Sequence, residues 1–211
     1  MNHTPNDTAG AQGQIFKNPV LEILTKAPPQ VSALTYLIVV AGLILMSWNL
    51  GKIDQPGNAI LWFFGAFVFW TFFEYFAHRY FFHLDHYFPN SKLAARLSYI
   101  FHGIHHDFPR DVSRLIMPPA PGMIIIAGLY LVGLLILGTN IYLFLAGFLT
   151  GYLFYTYIHY KTHTTPVPPY LKAQYRHHAL HHYKYPEKAF GVSSMFWDWV
   201  FGTMPPKKAT K

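Results

Sequence analysis

The sequence predicts an all-α integral membrane fold, with four transmembrane helices and a cytoplasmic, histidine-rich domain built to hold two metal ions. Three observations lead there. The chain is 52% hydrophobic and 18% aromatic with only 12% charged residues, a balance outside the range of soluble domains. Its charges are missing in blocks: none falls within 27–51, 55–73 or 115–160, and about 20 apolar residues suffice to cross a bilayer. Ten of its 13 histidines gather in four tight groups, His78 with His83, His102 with His105 and His106, His159 with His163, and His178 with His181 and His182.

Taken in order, residues 1–30 read as a mobile arm with a short interfacial helix around Phe16 to Thr25, and residues 31–211 as one membrane-embedded domain. The first span, near 31–50, ends in GKIDQPGN, whose Gly and Pro suit a tight reversal, with Trp48 at the interface. The second, near 58–77, carries an aromatic run up to Glu74 and the first histidines. An ionisable side chain at the end of an apolar helix is a functional candidate. Glu74 stands one turn before His78 and is read either as an acceptor that fixes a ligand's tautomer or as a side chain that pairs with Arg79 or Arg114 or reaches headgroup water.

His78 and His83 are five residues apart, about 140° on an unbroken α-helix, so either the helix ends between them or each serves a different ion. Lys92 to His106, bounded by Pro89 and Pro109, forms a helix whose last turn carries HxxHH. The third charge-free block holds two spans, near 121–138 and 141–160, reversed at Gly138, Thr139 and Asn140, with Gly128, Gly133, Gly147 and Gly151 allowing close helix contact. After the elbow TTPVPPY comes a second HxxHH, then an aromatic stretch, Phe190 to Phe201, too apolar for a free tail and expected to pack back on the metal domain or the interface.

The formal net charge of +7 is distributed unevenly, since four spans put every Lys and Arg except Lys52 on one face. The positive-inside rule makes that face, both termini and all four histidine groups cytoplasmic. Anionic headgroups account for the basic balance, and no nucleic-acid recognition motif is present. The absence of cysteine excludes thiolate sites and disulfides. The polar opening MNHTPNDTAGAQGQ lacks a signal-peptide pattern, which leaves the first span as its own insertion signal.

Imidazole is the commonest protein metal ligand and suits Zn, Cu, Fe and Ni, so ten of them at helical ligand spacings point to a two-metal site. Within each HxxHH the three histidines share one helix face. A structural zinc site closes with four ligands and would not use ten imidazoles. His3, His86 and His177 fall outside the pattern and read as structural.

WTFFEYFAHRYFFH, HGIHHDFPRDVSRLIMPP, HYKTH and HHALHHYKYPEKAFGVSSMFWDWVFGT resemble, in order and spacing, the histidine boxes and closing motif of the fatty acid hydroxylase superfamily, most of all its fatty acid 2-hydroxylases. The resemblance covers roughly 69–203 and implies a membrane di-iron oxygenase, with zinc a plausible occupant after purification and O2 as co-substrate. It implies that the ligands are His78, His83, His102, His105, His106, His159, His163, His178, His181 and His182. Fungal and animal 2-hydroxylases of this kind carry an N-terminal cytochrome b5 domain with an HPGG motif, which this sequence does not contain. The expected electron donor is therefore a separate protein, cytochrome b5-like, a ferredoxin or a reductase, and the expected substrate is a fatty acid or lipid acyl chain hydroxylated at C2.

A desaturase or a sterol- or carotenoid-type lipid oxidase could use the same scaffold. A histidine-rich metal transporter would need ligands near the bilayer midplane, and a haem-binding membrane cytochrome would need histidines inside its spans, whereas these groups lie at helix ends and between spans.

Overall fold

A computed structural model describes residues 5, 8 and 10–206; His3 and the two termini expected on the cytoplasmic side lie outside them, while the helix expected around Phe16 to Thr25 is present over Pro19–Ile23. Among the described residues every regular element is a helix, without strands: α1 Pro19–Ile23, α2 Pro29–Asn49, α3 Pro56–Phe76, α4 Leu84–Tyr87, α5 Lys92–Ser98, α6 Ile104–Asp107, α7 Pro119–Leu137, α8 Ile141–Thr164, α9 Lys172–Tyr183 and α10 Phe196–Val200. Three helical stretches are long and apolar enough to cross a membrane, Pro29–Asn49, Pro56–Phe82 and Val112–Thr164. The third contains α7 and α8, separated by one turn at Gly138–Asn140.

Local chemistry sets the helix ends. Proline opens α2, α3 and α7, where its missing N–H costs no hydrogen bond and its fixed φ suits the first turn. Asn18 caps α1, accepting from the N–H groups of Val20 and Leu21 at 2.9 and 3.2 Å. Past the ends of α2 and α7, Gly51 and Gly138 turn the chain at φ of +64° and +55°, a conformation that glycine adopts without the Cβ penalty.

The chain divides into two compact units. One comprises residues 14–70 and 111–156. Its α8 packs closely on α3, because a Cβ on Gly147 would strike the backbone carbonyl of Phe63 and one on Gly151 the Trp70 side chain. Gly133 abuts Ile141, while Gly128 faces open space, so the expected close contact fails at that position. The Tyr36 hydroxyl donates to the Met117 carbonyl at 2.9 Å, and the Met117 N–H donates to the Tyr152 hydroxyl at 3.0 Å. On the arm, Arg114 pairs with Glu22 at 2.5 Å and with Asp111 at 3.2 Å. Large apolar side chains stand outward on α7, with Ile124, Leu135 and Ile136 between 73% and 88% exposed. A face this apolar is a lipid contact surface, and the chain is a membrane protein.

The other unit comprises the chain up to residue 13, residues 71–110 and residues 157–211. Within it, the last turns of α3 continue into a π-helical turn, Ala77–Phe82, and a second π turn, Tyr99–Gly103, joins α5 to α6. The aromatic segment after α9 packs back onto the end of α3, as its composition requires. Phe201 stacks on Tyr75 at 5.3 Å, Trp197 meets Phe72 at 5.0 Å, and the Trp197 indole N–H donates to Thr71 at 3.0 Å.

Candidate metal centre

The ten histidines form two groups of five, each able to direct one ring nitrogen from every member to a common point. The first holds His78, His83, His102, His106 and His181; the second holds His105, His159, His163, His178 and His182. Each HxxHH motif is thus divided. Its i, i+4 pair stays together and its middle histidine crosses to the other group, which makes the two groups counterparts with the same internal composition. The single shared face expected for each motif is in fact an edge between two centres.

His78 and His83 join the same group although an α-helix would hold them about 140° apart. The π turn resolves the conflict, since i→i+5 winding returns the fifth residue to the same side. The helix thus changes pitch and ends at Phe82, with His83 as its cap residue at φ of −108° and ψ of 40°, and both histidines fall in one group.

In the first group, Nε2 to Nε2 separations are 2.9 Å for His78–His102, 2.9 Å for His102–His106, 3.2 Å for His106–His181 and 3.3 Å for His83–His181. In the second they are 3.0 Å for His105–His159 and 2.8 Å for His163–His178. Ligands on one ion with bonds of about 2.0–2.1 Å would sit about 2.8–3.4 Å apart, from right-angled to tetrahedral geometry. Protons cannot satisfy the first group. Nδ1 of His78 lies 2.6 Å from the Phe190 carbonyl and Nδ1 of His181 lies 2.8 Å from the Lys188 carbonyl. Carbonyls only accept, so both protons belong on Nδ1 and both Nε2 atoms present lone pairs. His102 and His106 can each supply one Nε2 proton to those lone pairs, which leaves their own contact unbonded. A cation at the centre satisfies all of these nitrogens, and the donor set therefore fits a metal ion.

Burial, reinforced by the neighbouring imidazoles, pushes His102, His105, His106, His178 and His182 well below the ordinary histidine value. Burial likewise lowers His181, to about 4, with the Lys188 carbonyl and Asp198 opposing the shift. Neutral imidazole is the form that ligates.

The two groups differ in what stands behind the rings. The first is backed by the carbonyls of Lys188 and Phe190, while Nδ1 of His105, His178 and His182 in the second is buried without a protein partner among the described residues. A cavity of about 390 Å³ lies against the second group, lined by His163, His178, His182, Tyr175, Lys172 and Arg176 among others.

Glu74 reaches the segment that follows α9. Oε1 accepts from the N–H groups of Val192 and Ser193 at 2.6 and 2.8 Å, and Oε2 is hydrogen-bonded to the Ser193 hydroxyl. It braces the segment that carries Phe190, whose backbone carbonyl takes the tautomer-fixing role at His78. Asp198 was missed by the sequence reading. Fully buried, it accepts from Phe190 N–H at 2.9 Å, Gly191 N–H at 2.7 Å and the Thr203 hydroxyl at 2.7 Å, and pairs with His177 at 3.0 Å. A lone acid inside an aromatic run was the available signal. His177 pairs with Asp198 and belongs to neither group of five, and His86 is exposed. Between Lys188 and Phe190, fully buried Ala189 adopts φ of +60°, the strained conformation that lets two carbonyls so close in sequence each reach a histidine of the first group.

The sequence profile of the fatty acid hydroxylase family matches residues 63–203. The chain is 38% identical to the ceramide very long chain fatty acid hydroxylase of Saccharomyces cerevisiae, over 95% of its own length and 52% of the relative's. It is 39% identical to the fatty acid 2-hydroxylase of Mus musculus, over 70% and 41%, and 33% identical to a dihydroceramide fatty acyl 2-hydroxylase of Arabidopsis thaliana, over 93% and 81%. The chain thus spans about half the length of the yeast relative and less of the mouse one. A solved structure of full-length scs7p, in which only the hydroxylase domain is visible, superposes with a TM-score of 0.84 at 34% identity, over 98% of this chain and 77% of that one.

Proposed function

The chain belongs to the fatty acid hydroxylase family, and we propose that it is an O2-dependent oxygenase that hydroxylates the acyl chain of a fatty acid or lipid at C2. The observation that carries the reading is the convergence of ten imidazoles in two groups of five. We assign all ten as metal ligands and iron as the working metal, with zinc able to occupy the same nitrogens. A di-iron pair supplies, when bound, O2 activation and cleavage of an aliphatic C–H bond.

The chain's own residues prepare that chemistry. His78 and His181 keep their protons on Nδ1 against Phe190 and Lys188, so that Nε2 stays free to ligate. Glu74 and Asp198 hold the backbone from which those carbonyls project. Burial of eight of the ten histidines, with His106 and His163 half-buried, limits the access of bulk water to the reacting carbon. One oxygen atom enters the substrate and the other leaves as water, which takes two electrons and two protons. We assign the electrons to a separate one-electron carrier, cytochrome b5-like, a ferredoxin or a reductase.

We further propose four membrane crossings by α2, α3, α7 and α8, with the histidine groups on the cytoplasmic side. The turn at Gly138 and the confinement of Lys and Arg to one face support this arrangement.

The names of the relatives favour C2 of an acyl chain, while the ligand set alone would also serve desaturation, which starts with the same C–H cleavage and diverges by substrate position. The test is to supply 18O2 to cells expressing the protein and analyse released fatty acids by mass spectrometry. A 2-hydroxy acid carrying one 18O is expected; a new double bond without label would reassign the enzyme as a desaturase.

A further inference from the structure

Beside the first group a third set of donors reaches the surface. His83, Asp85 and His86 each offer one ligand atom, all within 4.8 Å of one another. Burial rises stepwise along them: His86 is exposed, Asp85 half-buried, and His83 buried at 7% exposure within the first group. The Asp85 Oδ1 atom is itself buried and has no hydrogen-bond partner among the described residues. Its backbone N–H is held by the Ser98 hydroxyl at 3.0 Å, and the His86 N–H by the His83 carbonyl at 3.1 Å, so the short helix α4 keeps all three side chains together.

We propose that His86, Asp85 and His83 form a loading site that captures a divalent cation from solution and passes it to the first histidine group. The inference rests on the reading of that group as a metal site. Spacing distinguishes transit from residence. In the resident groups, ring nitrogens already stand 2.8–3.3 Å apart, whereas Asp85 makes no hydrogen bond or ion pair with either histidine. Donors this loosely set would have to close on an ion, which makes for weak capture and ready release. The carboxylate supplies what the resident groups lack, a negative charge to draw in a cation before any imidazole binds it. On the other side of the centre, the cavity beside the second group presents Lys172 and Arg176, charges that oppose the entry of a cation. His83 is the shared member, and so delivers the ion to a group of which it is already part.

The test uses the full chain in detergent, stripped with chelator and then mixed with Zn2+ alone, with bound zinc read against time after rapid desalting. Wild type should reach two ions per chain. His86→Ala and Asp85→Asn should reach the same final ratio but fill the first ion more slowly, by about tenfold, as expected when an attracting charge or first contact is removed from an entry path. His86 is exposed and its ring lies 5.0 Å from that of His83, so its truncation removes that ring contact and leaves the buried core intact. Rates equal to wild type in both variants would overturn the loading site while leaving the two-metal centre standing. A reduced final ratio at unchanged rate would overturn it too, by making these residues resident ligands. If wild type itself took up fewer than two ions, the two-metal reading would fall and the loading site with it.

Discussion

At the scale of single residues, Asp198 supports the first group while touching none of its ring nitrogens. Asp198 bonds the N–H groups on either side of the Phe190 carbonyl, fixing the atom that sets the His78 tautomer. Burial alone would raise its carboxyl, but hydrogen bonds from His177, Thr203 and Gly191 prevail and hold it below the usual aspartate value. A depressed carboxylate stabilises the fold fully above its unfolded-state value, near pH 4, and loses that contribution as pH falls toward the folded one. Asp198→Asn should cost about 2 kcal/mol, the scale of a hydrogen bond to a charged group. If the residue also positions ligands, bound metal should fall from about two ions per chain toward one. A thermal shift together with metal analysis separates the roles: lower stability with both ions retained would leave Asp198 structural only. None of this was legible from side chains, because the acceptors on His78 and His181 are backbone carbonyls, and any residue at 188 or 190 has one.

At the scale of elements, the histidine pairs and helices were readable because apolar blocks and i, i+4 spacings follow from composition and helical pitch. The pitch of Ala77–Phe82 was not, since π and α winding draw on the same residue types. What selects the wider turn is the convergence of His78 with His83, a tertiary constraint. The split of each HxxHH escaped for a related reason: the motif shows which face its histidines occupy, while assignment to one centre or the other depends on what the facing helix brings. A register change in the π turn tests this account. Deleting Phe81, half of whose surface is exposed, would leave the two histidines four apart, still one face on an α-helix; inserting an alanine there would leave them six apart, about 120° around an α-helix and past the reach of i→i+5 winding. The deletion should retain more bound metal than the insertion, which should lose the ion of the first group. Equal metal content in the two variants would mean that winding does not set the geometry.

At the scale of the whole molecule, the open question is which side of the membrane the histidines face. Hydropathy establishes that α7 and α8 together are long enough to cross twice, and the outward Ile124, Leu135 and Ile136 require lipid. Orientation rests on charge. Fifteen of the 16 Lys and Arg residues fall in segments that four crossings place on one side, with Lys52 alone in the loop between α2 and α3, and the cytoplasmic side is the one that retains such residues. Three crossings would break the argument by sending the segment with His102, His105 and His106 and the segment with His178, His181 and His182 to opposite sides, although each donates a member to the other's group. The chain has no native cysteine, so single cysteines report without background. Gln55→Cys should react with an impermeant maleimide on intact cells, and Lys184→Cys only after the membrane is opened. The reverse pattern would invert the protein, and labelling of both sites from outside would rule out the four-span topology.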